Sequence, residues 1–280
     1  MIVDYSEYIT EKASKGIVNS VYVENGLPLF KHDSICPFCK QKIENVIHHK
    51  SKTDYPEWLW GRFDQSELVV QCPNCGWWEY KYSNQSDAIV DGIRAMDLEY
   101  SSGILKTYED SDIDIPLEVL RKYINKDPSV IYNIDAHKME ELVRSVFSDF
   151  YPSCKVKAFG KTRDGGKDGL LIDNSGKQSL IQIKRRTKAN ATEGVEALRA
   201  LIGTTVIEDN VRGCIFISTA DHFSKPAKDY ASNVINKNIV DTFDLIDCKE
   251  FLKMADLVRD KLPDVWTIAI LLNNAISLQE

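Results

Sequence analysis

The stretch at residues 164–184, DGGKDGLLIDNSGKQSLIQIK, constrains the fold of this chain more than any other segment. It contains two short apolar runs separated by an Asn-Ser-Gly turn at 174–176, which is the pattern of a β-hairpin. Folding this hairpin brings Asp168 opposite Gln182, to within one residue of register. Side chains alternate across a strand, so Gln182 and Lys184 project from the same face. An acid, an amide and a lysine therefore converge at the open end of the hairpin.

These three side chains suit a site that holds a divalent metal and a water against a phosphodiester. Mg²⁺ takes oxygen ligands and keeps several waters, so one or two carboxylates and the phosphate oxygens of a substrate suffice. The metal would lower the pKa of a bound water, and a lysine would orient or deprotonate that water. The alternative is that Asp168 caps a turn among glycines while Gln182 and Lys184 lie on a solvated strand face. The surrounding sequence favours the metal site.

Local charge is part of that context. Residues 155–188 contain ten basic side chains and three acidic ones, in a chain whose formal net charge is −7. A basic stripe around an acid is expected where a phosphate backbone binds. A solvated charged face would explain the basic residues but not the acid among them. The residues expected to contact nucleic acid are Lys161, Arg163, Lys167, Arg185 and Arg186.

A helix is predicted upstream of the hairpin. Asp135 is a suitable N-cap, and the apolar residues of 139–150 recur at helical spacing along one stripe. At 100° per residue, Glu140 lies at the edge of this stripe and Glu141 nearly opposite it. Only Glu140 is therefore expected to face a site at the sheet edge.

These segments resemble the Mrr-type restriction endonuclease domain, a branch of the PD-(D/E)xK nuclease fold. The resemblance covers residues 116 to about 255 and keeps the order and spacing of the family's helix, hairpin, crossover helix and strand. The matching segments are MEELVRSVF (139–147), DGGKDGLLID (164–173), IQIKR (181–185), GCIFIST (213–219), FSKPAKDYA (223–231) and FDLID (243–247).

The resemblance assigns a role to each matching position. Asp168 would be the metal-binding acid, with Gln182 where most of the wider superfamily has Glu. Lys184 would be the catalytic lysine, and Glu140 the acid of the first helix. We expect Asp168, Gln182 and the Ile183 carbonyl to hold Mg²⁺ or Mn²⁺. Gln binds a metal more weakly than Glu does, but it is usual in this branch.

A second motif lies near the other end of the chain, where Cys36-Pro-Phe-Cys39 and Cys72-Pro-Asn-Cys75 form two CxxC pairs. Four thiolates in such pairs suit tetrahedral Zn²⁺. Disulfides or redox dithiols are the competing interpretations. We find no signal peptide or apolar run long enough for a membrane span, so the chain is expected in a reducing cytoplasm, where such pairs favour a metal. The motif predicts a structural zinc ribbon.

The ribbon region is rich in aromatic residues, including Trp77 and Trp78. They could form a platform that stacks on bases, or supply the core of a small metal-stabilised domain. Consecutive strand residues face opposite ways, so one of these two tryptophans is expected to be exposed. A role in protein contacts stays open as well.

The predicted fold class is α/β: a restriction-endonuclease-like αβββαβ core, with a mixed sheet flanked by helices, joined to a smaller zinc-ribbon β domain. A helix over 192–203, capped by Thr192, is expected to cross between parallel strands. The predicted boundaries are 1–109 for the zinc-ribbon domain, 110–115 for an acidic linker and 116–280 for the catalytic domain. The apolar C-terminal segment is expected to close the catalytic core.

The functional hypothesis is a metal-dependent DNA endonuclease. A role in defence against foreign or modified DNA follows from the resemblance alone. One site per chain would cut both strands either as a homodimer or by two successive nicks, and a partner protein of a defence system is also open. The alternatives are an adaptor that binds nucleic acid without cutting it, and a nuclease for RNA or branched DNA.

Overall fold

The computed structural model describes residues 1–18, 35–43, 46–55, 62–86, 93–158, 167–258 and 264–276. The chain divides into two compact units. The cysteine unit comprises Val3–Thr107 and Pro263–Glu280, and the α/β unit comprises Met1–Ile2 and Tyr108–Leu262. Within the described ranges, no helix has the length and apolar character needed to cross a membrane.

The described part of the first 108 residues is built mainly from β-strands. Five of these strands form an antiparallel sheet in the order β2-β6-β5-β4-β3, with long, nearly unbroken pairing between neighbours. The strands are β1 (Ile2–Asp4), β2 (Tyr8–Val18), β3 (Val46–Asp54), β4 (Phe63–Gln71), β5 (Trp78–Ser86), β6 (Ile93–Gly103) and β7 (Lys106–Tyr108).

The C-terminal helix α6 (Val265–Ile276) groups with the cysteine unit. Ala269 is buried in the same cluster as Val69 and Tyr80, and Trp266 packs against that cluster. The sequence prediction had assigned residues 116–280 to one domain. The structure differs because the apolar side chains of α6 complete the core around β5 rather than the core of the α/β unit.

The α/β unit follows the predicted order of elements. A short 3₁₀ helix spans Pro128–Tyr132. The remaining elements are α1 (Leu117–Lys126), α2 (Ala136–Phe150), β8 (Lys155–Ala158), β9 (Gly169–Ile172), β10 (Gln178–Lys184), β11 (Thr192–Glu193), α3 (Val195–Thr205), β12 (Val211–Ser218), β13 (His222–Phe223), α4 (Lys225–Asn236), β14 (Thr242–Ile246) and α5 (Cys248–Leu257).

The central sheet has the order β14-β12-β10-β9-β8. Strands β8, β9 and β10 pair antiparallel, whereas β10, β12 and β14 pair parallel. Parallel neighbours require a crossover connection, which α3 and α4 provide. This arrangement confirms the predicted α/β class with a mixed sheet and flanking helices.

The crossover helix begins later than predicted. Thr192 and Glu193 form the short strand β11, which pairs with His222 and Phe223 of β13. The helix α3 therefore starts at Val195 with Gly194 as its N-cap, and Thr192 does not cap it.

Alternation along the strands divides the α/β unit into two cores. Ile181 and Ile215 face α1, α2 and α5 in one buried cluster. Leu180 and Phe216 face α3 and α4 in the other. Burial on both faces explains the almost continuous apolar run of β12. Residues of β10 contribute to both cores, and β10 carries most of the predicted site.

Candidate active site and candidate metal centre

The hairpin turn that sets the register of the candidate active site is locally determined. The Asp173 carboxylate accepts hydrogen bonds from the backbone N–H of Ser175 at 2.8 Å and of Lys177 at 2.9 Å. The Ser175 hydroxyl also donates to it, and this bond lowers the pKa of Asp173. Gly176 has φ +82°, a left-handed conformation that other residues rarely adopt. The turn therefore fixes how β9 and β10 align.

The register places Asp168 beside β10 as predicted. Gly169 pairs with Ile181, and the backbone N–H of Asp168 donates to the Ile181 carbonyl at 2.9 Å. The Asp168 Oδ2 then accepts from the backbone N–H of Ile183 at 2.6 Å. The carboxylate lies beside β10, at the position where a backbone carbonyl would accept this hydrogen bond if β9 extended further toward its N-terminus.

Gln182 and Lys184 occupy the last residues of β10. Gln182 Oε1 is buried, and within the described residues it has no hydrogen-bond partner. Lys184 is exposed. A buried acceptor without a donor is costly unless a ligand supplies the missing interaction. The donor set of carboxylate, amide oxygen and backbone carbonyl suits Mg²⁺ or Mn²⁺, so Asp168, Gln182 and the Ile183 carbonyl could hold such a metal.

Helix α2 brings Glu140 to the same region. The helix begins after Asp135, whose side chain accepts from the backbone N–H of His137 and Lys138. Glu140 and Asp168 line one cavity of about 180 Å³. Gln182 and Lys184 do not line it, because they project from the opposite face of β10 to Ile181 and Ile183, which do.

The second acid of α2 also reaches this cavity, although the sequence predicted otherwise. Glu141 lines it, and its carboxylate accepts from the Lys138 ammonium at 2.9 Å. Three further charged or titratable residues in the lining were missed: His137, Arg144 and Lys157. Helical spacing could have identified two of them, since His137 and Arg144 lie three residues before and four residues after Glu140.

Three of the five basic residues predicted to contact nucleic acid have partners inside the chain. The Lys167 ammonium forms an ion pair with Glu208. Arg185 donates to the Tyr132 carbonyl at 3.1 Å. Arg186 makes a two-pronged contact with Glu193, which raises the pKa of the Arg186 guanidinium. Lys161 and Arg163 lie outside the described residues.

The four cysteines of the two CxxC pairs come together in the cysteine unit. Their sulfur atoms all lie within 4.8 Å of one another, with Cys36 and Cys75 3.6 Å apart and Cys39 and Cys72 3.4 Å apart. Among the described residues this is the group of His, Cys, Asp and Glu side chains that could hold a metal ion. A structural tetrahedral site is the chemistry that such a set supports.

Both cysteine turns have the same backbone form. The N–H of Lys40 donates to the Cys36 carbonyl, and the N–H of Gly76 donates to the Cys72 carbonyl. Lys40 has φ +60° and Gly76 has φ +83°, so each turn closes through a left-handed residue. The two turns therefore share one geometry, and each of them brings two thiols to the cluster.

The protonation of the thiols differs across the cluster. Burial raises the pKa of Cys36 to about 12, whereas the backbone N–H of Gln41 is the main cause that lowers the pKa of Cys39 to about 6. A bound metal would deprotonate both, because thiolate is the ligating form.

The tryptophan pair beside the second cysteine turn is wholly buried, contrary to the prediction that one would be exposed. Trp77 and Trp78 expose 4% and 2% of their surface. Trp77 Nε1 donates to the Gly103 carbonyl and Trp78 Nε1 donates to the Tyr5 carbonyl. Strand alternation does not apply, because β5 begins only at Trp78. Both residues belong to the core and neither forms a stacking platform.

Part of the chain matches a known protein family. Residues 131–255 match the model of the Mrr catalytic family, described as a restriction endonuclease. The match includes α2, the β9–β10 hairpin and the parallel strands, and it confirms the resemblance drawn from the sequence. No curated protein matches the chain.

Three solved structures are similar in part. A repair endonuclease from Pyrococcus abyssi shares 12% identity over 66% of this chain and 79% of its own, with a TM-score of 0.25. The restriction endonuclease FokI bound to DNA shares 10% identity over 56% of this chain and 32% of its own, with a TM-score of 0.35. FokI without DNA shares 11% identity over 61% of this chain and 35% of its own, with a TM-score of 0.35. The chain therefore spans about a third of FokI, and these likenesses carry no argument about function.

Proposed function

We propose that this chain is a metal-dependent endonuclease that hydrolyses DNA at the edge of β10, because residues 131–255 match the model of the Mrr catalytic family, described as a restriction endonuclease. The observation that carries the proposal is the Asp168 carboxylate held against the Ile183 N–H. The preceding residue of β10, Gln182, has a buried Oε1 without a partner among the described residues. These groups are oxygen donors, and Lys184 follows them on the strand.

The metal set in this proposal is Asp168, Gln182 and the Ile183 carbonyl. When bound, Mg²⁺ would polarise the phosphoryl group and lower the pKa of a water. Glu140 supports the metal shell from α2, since it lines the same cavity as Asp168. Neutral Gln182 contributes less attraction than a second carboxylate would, so the site depends chiefly on Asp168.

Lys184 acts on the attacking water and on the phosphate. Its exposed ammonium can orient the water and offset the negative charge that develops as the water oxygen bonds to phosphorus. One phosphorus–oxygen bond breaks as the new bond forms, and a proton passes to the departing sugar oxygen. The products are two strand ends, one with a phosphate and one with a hydroxyl.

DNA is the proposed substrate because the matched family is described as a restriction endonuclease. Lys161 and Arg163 are proposed contacts to the DNA backbone, and they lie outside the described residues. At Lys167, Arg185 and Arg186, DNA would have to compete with Glu208, Tyr132 and Glu193.

The cysteine unit is proposed to hold one structural Zn²⁺ at Cys36, Cys39, Cys72 and Cys75. The clustered sulfurs support this, and a cytoplasmic location is part of the proposal. Defence against foreign or modified DNA is part of the proposal. One site per chain would cut both strands either as a homodimer or by two successive nicks, and a partner protein of a defence system is a separate part of the proposal.

The test is cleavage of a substrate panel by wild-type protein and by Lys184→Ala. The panel contains methylated and unmethylated supercoiled plasmid, a single-stranded RNA and a four-way DNA junction, each with Mg²⁺, Mn²⁺ or EDTA. We expect the wild type alone to nick or linearise plasmid, and only with metal. Cleavage of RNA or of the junction alone would redirect the substrate assignment. Binding of DNA without cleavage of any substrate would favour a non-cutting adaptor.

A further inference from the structure

A buried polar network lies immediately beyond Lys184. Glu193 exposes 1% of its surface and accepts from Arg186 through both oxygens, at 2.9 Å from Nε and 2.5 Å from Nη2. The Ser218 hydroxyl donates to the same carboxylate at 2.8 Å. A carboxylate this deeply buried is tolerated only when charge and hydrogen bonds compensate it. The three contacts supply that compensation.

This network is continuous with the end of β10. Ser218 is the register partner of Lys184 in β12, and the N–H of Thr219 donates to the Lys184 carbonyl at 3.1 Å. The N–H of Arg186 donates to the Thr219 hydroxyl at 2.6 Å, and that hydroxyl donates back to the Arg186 carbonyl. The backbone of Lys184 and Arg186 is therefore bonded to Thr219. Glu193 contacts the side chains of Arg186 and Ser218, which adjoin these bonds.

We infer that Glu193 is a positioning residue for Lys184, and that Arg186 serves as its counter-ion rather than as a DNA contact. The inference rests on the proposed function, in which Lys184 acts on the attacking water. Lys184 is exposed and its side chain is long, so its own contacts do not fix its ammonium. The ammonium is placed by the backbone from which it extends, and Glu193 contacts Ser218, the β12 partner of Lys184, and Arg186, two residues beyond it.

The competing role for Arg186 is a bond to the DNA backbone, since its side chain is 36% exposed. The two roles differ in a quantity that does not depend on cleavage. Loss of a phosphate contact reduces the slope of the logarithm of affinity against the logarithm of salt concentration by about one. Loss of an internal counter-ion leaves that slope unchanged.

The experiment compares Glu193→Gln, Arg186→Gln, the double variant Glu193→Gln/Arg186→Gln, and Arg199→Gln. Arg199 pairs with Glu196 on an exposed helix face and provides a matched Arg–Glu control. Ser218→Ala is included as a milder change that removes one contact to Glu193. For each protein, kcat and KM are measured on plasmid, the melting temperature is recorded, and DNA affinity is titrated against salt in EDTA.

Glu193→Gln is expected to lower kcat by up to about 10²-fold, because a misplaced catalytic group loses that much, with KM and the salt slope close to wild type. Ser218→Ala should lower kcat less. Arg186→Gln should lower the melting temperature more than the double variant, since it leaves Glu193 charged and unpaired. Arg199→Gln should match wild type in every measurement.

Wild-type kcat in a folded Glu193→Gln variant would overturn the inference. A salt slope reduced by about one in Arg186→Gln, without recovery of stability in the double variant, would overturn it as well. Absence of cleavage by wild-type protein would instead refute the proposed function, and the melting temperatures and salt slopes would still decide the partner of Arg186.

Discussion

The Asp168 carboxylate continues the β9–β10 ladder in place of a backbone carbonyl, accepting from the Ile183 N–H at 2.6 Å. The N–H and C=O of one residue in an antiparallel pair point to the same side of the strand. The Ile183 carbonyl therefore points to the same side of β10 as the Asp168 carboxylate. One hydrogen bond thus gathers two of the three proposed metal ligands.

Removing this bond should cost stability, and the cost depends on the replacement. Asp168→Ala leaves the Ile183 N–H without its acceptor, so the free energy of unfolding should fall by about 1–3 kcal/mol. Asp168→Asn can keep an oxygen against that N–H and should stay within about 1 kcal/mol of wild type. Urea unfolding of the three proteins checks this. Equal stabilities for Asp168→Ala and Asp168→Asn would contradict the structural role of the bond.

The identity of residue 182 should set the metal requirement. Gln182→Glu adds a carboxylate where the buried Oε1 has no partner among the described residues. The extra charge should lower the Mg²⁺ concentration that gives half-maximal cleavage by roughly tenfold. Gln182→Met, similar in size and without a strong donor, should raise it. Equal Mg²⁺ requirements in all three proteins would exclude residue 182 from the metal set.

The geometry at Asp168 could be predicted from the sequence because its causes are local. The turn at 173–176 has its own hydrogen bonds and a glycine at positive φ, and the strands on either side are apolar. Together these fix the register, so Asp168 falls beside the end of β10 that carries Gln182 and Lys184. The order of helices and strands in the α/β unit was predictable for the same reason, since each element carries its own periodicity.

The burial of Glu193, the burial of Trp77 and the packing of α6 depend on tertiary contacts that sequence periodicity does not encode. In the sequence, Arg186 is one basic residue among many in a basic stripe. Only the fold shows that it contacts Glu193, and nothing in the sequence indicates that Glu193 is buried. Trp77 lies one residue before its strand, so alternation misjudged it. The helix α6 is apolar enough for either unit, and its packing near Tyr80 could not be foreseen.

The cysteine cluster should bind one metal ion per chain. Cys36→Ser and Cys72→Ser should lose that metal and lower the melting temperature of the cysteine unit, because removing a ligand opens the tetrahedral shell. Cys154→Ser is the matched control, since Cys154 is a free thiol outside the cluster. Elemental analysis of the purified proteins measures the stoichiometry. Wild-type protein that contains no metal and yet has the same melting temperature as metal-loaded protein would refute the site.

Glu79 should make the cysteine unit less stable as pH rises. It exposes 3% of its surface, and burial raises its pKa from 4.5 to about 8. Between those values the unfolded chain ionises while the folded chain keeps the proton, so unfolding becomes easier as pH increases. At about 1.4 kcal/mol per pKa unit, the loss from pH 4.5 to 8 is on the order of 4 kcal/mol.

Glu79→Gln removes this dependence, so its stability relative to wild type should increase with pH over the same window. Glu7→Gln, at an exposed carboxylate of the same unit, should track wild type. Thermal unfolding at pH 5, 6, 7 and 8 measures the difference. A wild type that gains stability over Glu79→Gln as pH rises would show that the Glu79 carboxylate is ionised in the folded state.

The most direct test of the proposed site is the rate of plasmid cleavage by wild type and Asp168→Asn across a titration of Mg²⁺. The two proteins should fold alike and bind DNA alike in EDTA. We predict cleavage by the wild type that saturates with Mg²⁺, and a rate at least about 10²-fold lower for Asp168→Asn at every concentration. Equal rates for the two proteins would show that Asp168 does not hold the catalytic metal, and would contradict the site at the edge of β10.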